Sequence, residues 1–208
     1  MNAPASLPTK RFYRIGVSTF FFIQGITFAS WACRIPDVQE QLKLSEGALG
    51  AVLLALPLGQ LMAMMLSGFL VNKFGSKAML IVGAILYPAT LVLLGAAQDL
   101  WQLVGVLVLF GVFGNLSNIS VNTQGVGVER IYGRSVMASF HGLWSLAGFA
   151  GGIIGAIMVK YDVSTLWHFV MLFCVTSTLL LSTKNFLIPR DARAQPRTEK
   201  KKTYVQPG

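Results

Sequence analysis

Six stretches of this sequence contain no Asp, Glu, Lys or Arg. They run from Ile15 to Cys33, Gly47 to Val71, Ala78 to Gln98, Leu100 to Val128, Ser135 to Val159 and Val163 to Thr183. Each is about the length that crosses a bilayer as a helix, roughly 20 residues. Lipid offers backbone amides no water, so a helix is the expected form of each stretch. A barrel would need short alternating strands, which this pattern lacks. The mean hydropathy of +0.62 and the 12% share of charged residues agree. A soluble domain has too little interior to hide that much apolar surface. The net charge of +9 therefore does not point to nucleic acid.

The charges that remain sort by side. Lys10, Arg11, Arg14, Lys73, Lys77, Arg130, Arg134 and Lys184 fall on one side of the six spans, and Arg34, Lys43 and Lys160 on the other. The positive-inside rule places both termini in the cytoplasm, and an even span count returns the chain to its starting side. The expected organisation is a cytoplasmic segment over 1–14, an all-α bundle over 15–188, and a basic tail over 189–208. The tail holds Arg190, Arg193, Arg197 and Lys200 to Lys202 among Pro and Gln, a composition of disorder. Its charge suits anionic lipid, and equally a solvated tail that enforces topology. The first span is too long and aromatic for a cleaved leader. Cys33 and Cys174 lie inside apolar runs with no metal or redox spacing.

Polar residues inside spans are costly, and so carry most information. Asn115, Asn118 and Asn122 follow spacings of three and four, which puts them on one helical face. Gly111 and Gly125 fall near that face. Carboxamides donate and accept, which suits a ligand with hydroxyls or amides; hydrogen bonding between helices is the alternative. Gln24, Thr27 and Trp31 share a face of the first span, with Phe20 and Phe28 at its edges. Trp31 reads either as a ligand platform or as an interface anchor. The fifth span offers His141, Trp144 and Ser145. His141 is a candidate proton carrier or a plain hydrogen-bonding group, and His168 reads as interfacial. Gly148, Gly152 and Gly155 read as a close-packing stripe.

No acid pair, metal cluster or phosphate loop points to an enzyme or to a cofactor, and the segments between spans are too short for a catalytic domain. ATP-driven transport would need a partner chain.

Three motifs carry a family resemblance. Gly68-Phe69-Leu70-Val71-Asn72-Lys73-Phe74-Gly75-Ser76-Lys77 resembles the signature loop between helices two and three of the major facilitator superfamily. Gly68, Lys73, Gly75 and Lys77 fit that pattern. Asn72 stands where the family has Asp and Ser76 where it has Arg, departures that bear on the charge relay of the family's inner gate. The segments Trp31 to Asp37 and Glu129 to Gly148 resemble the YbjJ-type branch, related to sugar permeases of the fucose-permease kind. Gly68 before Lys73-Phe74 and Gly155 before Lys160-Tyr161 form a short echo, as two inverted three-helix repeats would give.

The resemblance implies half of that fold: six helices, with the first and fourth lining a central cavity that works by alternating access. It implies transport of a small polar solute, a sugar being one class, across the inner membrane. The expected solute contacts are Gln24, Asn115, Asn118, Asn122 and His141, and the gating loop is Gly68, Asn72, Lys73, Gly75 and Lys77. A second six-helix unit is implied too, as a separate C-terminal half or through a homodimer. The rival expectation is a truncated or split-gene membrane protein, or an assembly subunit, without transport of its own.

Overall fold

The computed structural model describes residues 7–189 and 191. Among them the chain is all helix, and six helical segments are long and apolar enough to cross a membrane. They are α1 (Leu7–Gln41), α2 (Glu46–Leu53) with α3 (Ala55–Phe74), α4 (Ser76–Gly95), α5 (Leu100–Tyr132), α6 (Met137–Lys160) and α7 (Thr165–Thr183). A short 3-10 turn, Lys184–Phe186, follows. The second span is broken at Leu54 because Pro57 has no amide for the Leu53 carbonyl and crowds it.

Every span lies close to its charge-free stretch, yet several helices run further. Residues 7–14, expected as a separate segment, are the first turns of α1, and α1 continues past Arg34 and Pro36 to Gln41. α5 passes Glu129 and Arg130 to end at Gly133, whose φ of 67° closes it. Charge marks where the bilayer ends, whereas capping and turns mark where a helix ends. Of the tail expected over 189–208, only Pro189 and Asp191 lie among the described residues.

The two ends of the bundle cap their helices differently. At the end carrying Arg34, each entering helix has a local side-chain cap. Ser45 accepts the Ala48 amide at 3.3 Å, Asp99 that of Gln102 at 2.9 Å, and Ser164 that of Trp167 at 3.4 Å. At the basic end the caps are remote carboxylates. Glu129 accepts the Val136 and Met137 amides at 3.0 Å, at the start of α6. Asp191 accepts the Ser76 amide at 2.6 Å and the Ser76 hydroxyl, at the start of α4. Gly75, with φ of 86°, makes the sharp turn between α3 and α4.

The most extensive packing joins α1 to α6 and α3 to α5, each a pair of spans running in the same direction. Small residues let the backbones approach. Gly25 meets Trp144 and Ala147, Gly151 meets Ala29, and Gly155 meets Cys33, so the seam steps by four residues on both helices. This corrects the expected stripe. Gly155 belongs to it, but Gly148 and Gly152 face away, and a methyl there would meet no atom within 4 Å. The partners of Gly155 are Ala147 and Gly151, one residue before those expected. The Gly68 and Gly155 echo is likewise unequal, since Gly68 has open space and Gly155 a packed neighbour.

Two apolar cores fill the bundle. One, toward the basic end, includes Val17, Phe20, Phe21, Leu80, Val121 and Phe140. The other includes Trp31, Leu91, Leu107, Phe110 and Phe169. Between them at mid-depth lie the polar side chains Gln24 on α1 and Asn115, Ser117 and Asn118 on α5.

A strap after α7 closes the basic end. Gln124, 1% exposed, donates to the Ile188 carbonyl at 3.0 Å and to the Ser76 hydroxyl at 2.8 Å, and its Oε1 accepts the Ile188 amide at 2.8 Å. Gln124→Leu keeps the volume but strands both Ile188 backbone groups, each costing about 1–3 kcal/mol when buried. Hydrogen exchange at the Ile188 amide is expected to rise at least tenfold, while amides of the α1–α6 seam keep their protection.

Candidate functional site

A cavity of about 360 Å³ lies in the polar layer between the two cores. Gln24 and Phe28 reach it from α1, Gln60 from α3, Tyr87 from α4, Asn115 and Asn118 from α5, and Trp144 from α6. Gly114 forms part of its wall, so the chain approaches there as backbone. The Tyr87 ring stacks on Phe110 at 4.4 Å between centroids, which fixes that side.

Two acceptors in this layer have no partner. Gln24 is 6% exposed, and its Nε2 donates to the Gly114 carbonyl at 3.4 Å, leaving Oε1 buried and unmet. Asn115 Oδ1 is buried and unmet as well. A buried acceptor without a donor costs about 1–3 kcal/mol. Such a pair is explained by a guest that donates two hydrogen bonds, or by water in its place. With Phe28, Tyr87 and Trp144 around four carboxamides, the cavity combines aromatic faces with convergent polar groups, as a small-ligand site does.

Of the expected solute contacts, Gln24, Asn115 and Asn118 come together in this cavity. Asn122 lies one turn toward the basic end, outside the lining, and donates to the Asn118 carbonyl at 2.9 Å. His141 is also outside the lining. Its ring meets Phe21 edge-on at 5.2 Å, and it faces out of the bundle. Sequence reasoning passed over Gln60 and Tyr87. Gln60 was visible as the single carboxamide in an otherwise apolar span. Trp31 is 2% exposed and packs against Phe110 in a core, so it is neither platform nor anchor. Thr27 donates to the Ile23 carbonyl of its own helix at 2.7 Å.

A second polar cluster sits near the other end. Arg34, 2% exposed, donates to the Val163 carbonyl at 2.7 Å and to Thr165 at 3.1 Å, and pairs with Asp37 at 3.2 Å. His168, expected at the interface, is 1% exposed, and neither ring nitrogen has a partner. Its burial follows from its helix face, which packs inward beside Thr165, rather than from its depth in the sequence.

In the expected gating loop, Gly75 makes the turn and Lys73 lies 5.5 Å from the Phe69 ring and 5.3 Å from the Phe74 ring. Gly68 and Lys77 are half-buried and Asn72 is exposed. Ser76 takes part in the Asp191 and Gln124 contacts, so the position that departs from the family pattern is a structural joint.

Fold and cavity together define a multi-pass helical membrane protein with a polar chamber at mid-depth. The sequence matches the Major Facilitator Superfamily over residues 15–207, and the chain belongs to that superfamily. It is 34% identical over 152 residues to the membrane protein MosC of Rhizobium meliloti, covering 71% of this chain and 37% of that protein. It is 31% identical over 156 residues to the transporter y4wD of Sinorhizobium fredii, covering 75% and 41%. An MFS-type transporter of Yersinia pestis is 34% identical over 136 residues, covering 65% and 34%. The chain thus spans well under half the length of the curated relatives it matches. Its fold is similar to that of the nucleoside transporter NupG, with a TM-score of 0.67 at 16% identity, covering 84% of this chain and 44% of that one. The Yersinia pestis and Sinorhizobium fredii relatives are named as transporters, not enzymes.

Proposed function

We propose that this chain forms one six-helix half of an alternating-access transporter for a small, hydroxylated polar solute. The carrying observation is the mid-depth cavity with two unmet acceptors, Gln24 Oε1 and Asn115 Oδ1. Hydroxyl groups on a ring supply donors for both, and Phe28, Tyr87 and Trp144 supply apolar faces for the ring. A sugar fits that description, and so does the ribose of a nucleoside, the solute class named for NupG. The resemblance to the fucose-permease-like branch leans toward a sugar.

A second six-helix unit completes the site in this reading, either a C-terminal half or a second copy. Its support is the polar surface beside the cavity. Asn118, His141 and Ser145 are exposed at membrane depth on the outer face of the six helices, where lipid is a poor neighbour. Across a facing half, Asn122 and His141 join the solute path. In this reading the basic end faces the cytoplasm across an inner membrane, which the distribution of Lys and Arg supports.

The test is ligand-dependent thermal stabilisation of the purified full chain against a panel of sugars and nucleosides, followed by uptake into vesicles. At least one hydroxylated ring solute is expected to raise the Tm and to be taken up once a second half is supplied. Stabilisation only by apolar or cationic compounds would reject the assignment.

A further inference from the structure

A second cavity lies apart from the mid-depth chamber. It lies at the basic end, has a volume of about 760 Å³, and shares no lining residue with the chamber. Four cations line it: Lys10, Arg11 and Arg14 from the first turns of α1, and Arg134 from the turn between α5 and α6. Among the described residues no carboxylate lines it.

The carboxylates described at this end, Glu129 and Asp191, are committed elsewhere. Glu129 holds the first amides of α6 together with the Ser135 hydroxyl, and Asp191 holds the start of α4. Among the described residues the sole ion pair is Arg34–Asp37, at the opposite end. Arg14 is positioned: its Nη2 donates to Ser139 at 3.3 Å, and its guanidinium lies 5.7 Å from the centre of the Tyr132 ring. Arg11 and Arg134 are exposed. The cluster therefore gathers like charges around one space, and among the described residues no carboxylate pairs with them, so an anion there would be favoured.

Beyond the cations, Ser18, Thr19 and Tyr132 line it, and four apolar residues name the kind of anion. Ile15, Phe22, Leu143 and Leu179 continue the cavity toward the membrane interior. α6 packs chiefly on α1, and α7 on α4 and α1, and the cavity reaches Leu143 of α6 and Leu179 of α7 over Ile15 and Phe22 of α1, a slot between the two helices. A basic rim above an apolar slot between spans matches an amphiphile with an anionic head. We propose that this cavity binds the phosphate headgroup of an anionic phospholipid, with an acyl chain lying in the slot between α6 and α7. Free inorganic phosphate shares the head chemistry but makes no use of the slot.

The experiment is native mass spectrometry of the delipidated full chain with phosphatidylglycerol, with phosphatidylcholine or with inorganic phosphate, paired with thermal unfolding. Phosphatidylglycerol is expected to stay bound and to raise the Tm, and the other two to do neither. Arg11→Gln with Arg134→Gln removes two exposed cations that make no side-chain bond among the described residues, so folding is retained while phosphatidylglycerol affinity falls at least tenfold. Lys73→Gln with Lys77→Gln removes the same charge from the same end outside the cavity and is expected to leave affinity within about twofold. Equal retention of phosphatidylcholine, binding of phosphate alone, or equal loss in both double variants would overturn the proposal. The last outcome would reduce it to a general surface field.

Discussion

Alanine at Gly111 is expected to force α3 away from α5 and to cost the fold about 3 kcal/mol, near the top of the range for overpacking. A Cβ at this position would overlap the Leu56 carbonyl oxygen and lie 2.9 Å from the Gln60 amide. Both obstacles are backbone, so no rotamer change relieves them and the helices themselves must separate. Gly59 meets α5 at the same crossing, against the Val108 carbonyl. The chamber depends on this contact too, because Gln60 is the residue from which α3 reaches it. Gly148→Ala is the matched control. It meets no atom within 4 Å and replaces glycine by a better helix former, so its stability should hold or rise by up to about 1 kcal/mol. Thermal unfolding of the two variants in the same detergent measures the difference. Equal midpoints would mean that the α3–α5 seam is looser than described.

The second large effect is on solute affinity. Gln24→Leu combined with Asn115→Leu removes both unmet acceptors of the chamber and keeps its volume close to native. Each hydrogen bond to a neutral group is worth about 0.5–1.5 kcal/mol net, so the pair should weaken binding by about 100-fold at the upper end. The folded protein should not suffer, because two buried, unsatisfied oxygens disappear at the same time. A rise in Tm without ligand, together with loss of the ligand-induced rise, is the expected signature. Asn122→Leu in the isolated chain should change affinity much less, since that side chain is bonded within its own helix. A double variant that binds as tightly as the native chain would remove the chamber from consideration.

The spans were legible because lipid imposes one rule on every residue in them, and absence of charge is a sufficient mark of it. Helix ends were less legible. Arg34 sits inside α1 because its guanidinium folds onto Val163 and Thr165, partners about 130 positions away that no local pattern announces. The chamber was half legible. Gln24, Asn115 and Asn118 declare themselves as carboxamides in apolar runs, but a helical face is wider than a cavity. Asn122 shares the face of Asn118 and falls one turn outside. The glycine stripe of α6 was misjudged in phase because only glycines were weighed. Ala147 serves the seam as well as a glycine does, and the contour of α1 decides which small residues matter. The Gln124 clamp on Ile188 joins a carboxamide to main-chain groups 64 positions away, so only the folded chain reveals it.

The seam between α1 and α6 also sets a timetable. Gly25 and Ala147 are separated by 122 positions, so α1 enters the bilayer long before its partner surface exists. At a synthesis rate of about 5–20 residues per second, that gap lasts roughly 6–24 s. Through that interval the small-residue face of α1 borders lipid or the insertion machinery, and Gln24 has no Gly114 carbonyl until α5 arrives. α3, in contrast, waits only for α5, and α4 docks between them on the way. The nascent bundle should therefore close from its middle helices outward, with α1 secured only once α6 has been made and α7 docking after that. Substitutions on α1 that leave the finished fold untroubled can then still lower its yield, through what happens during the wait.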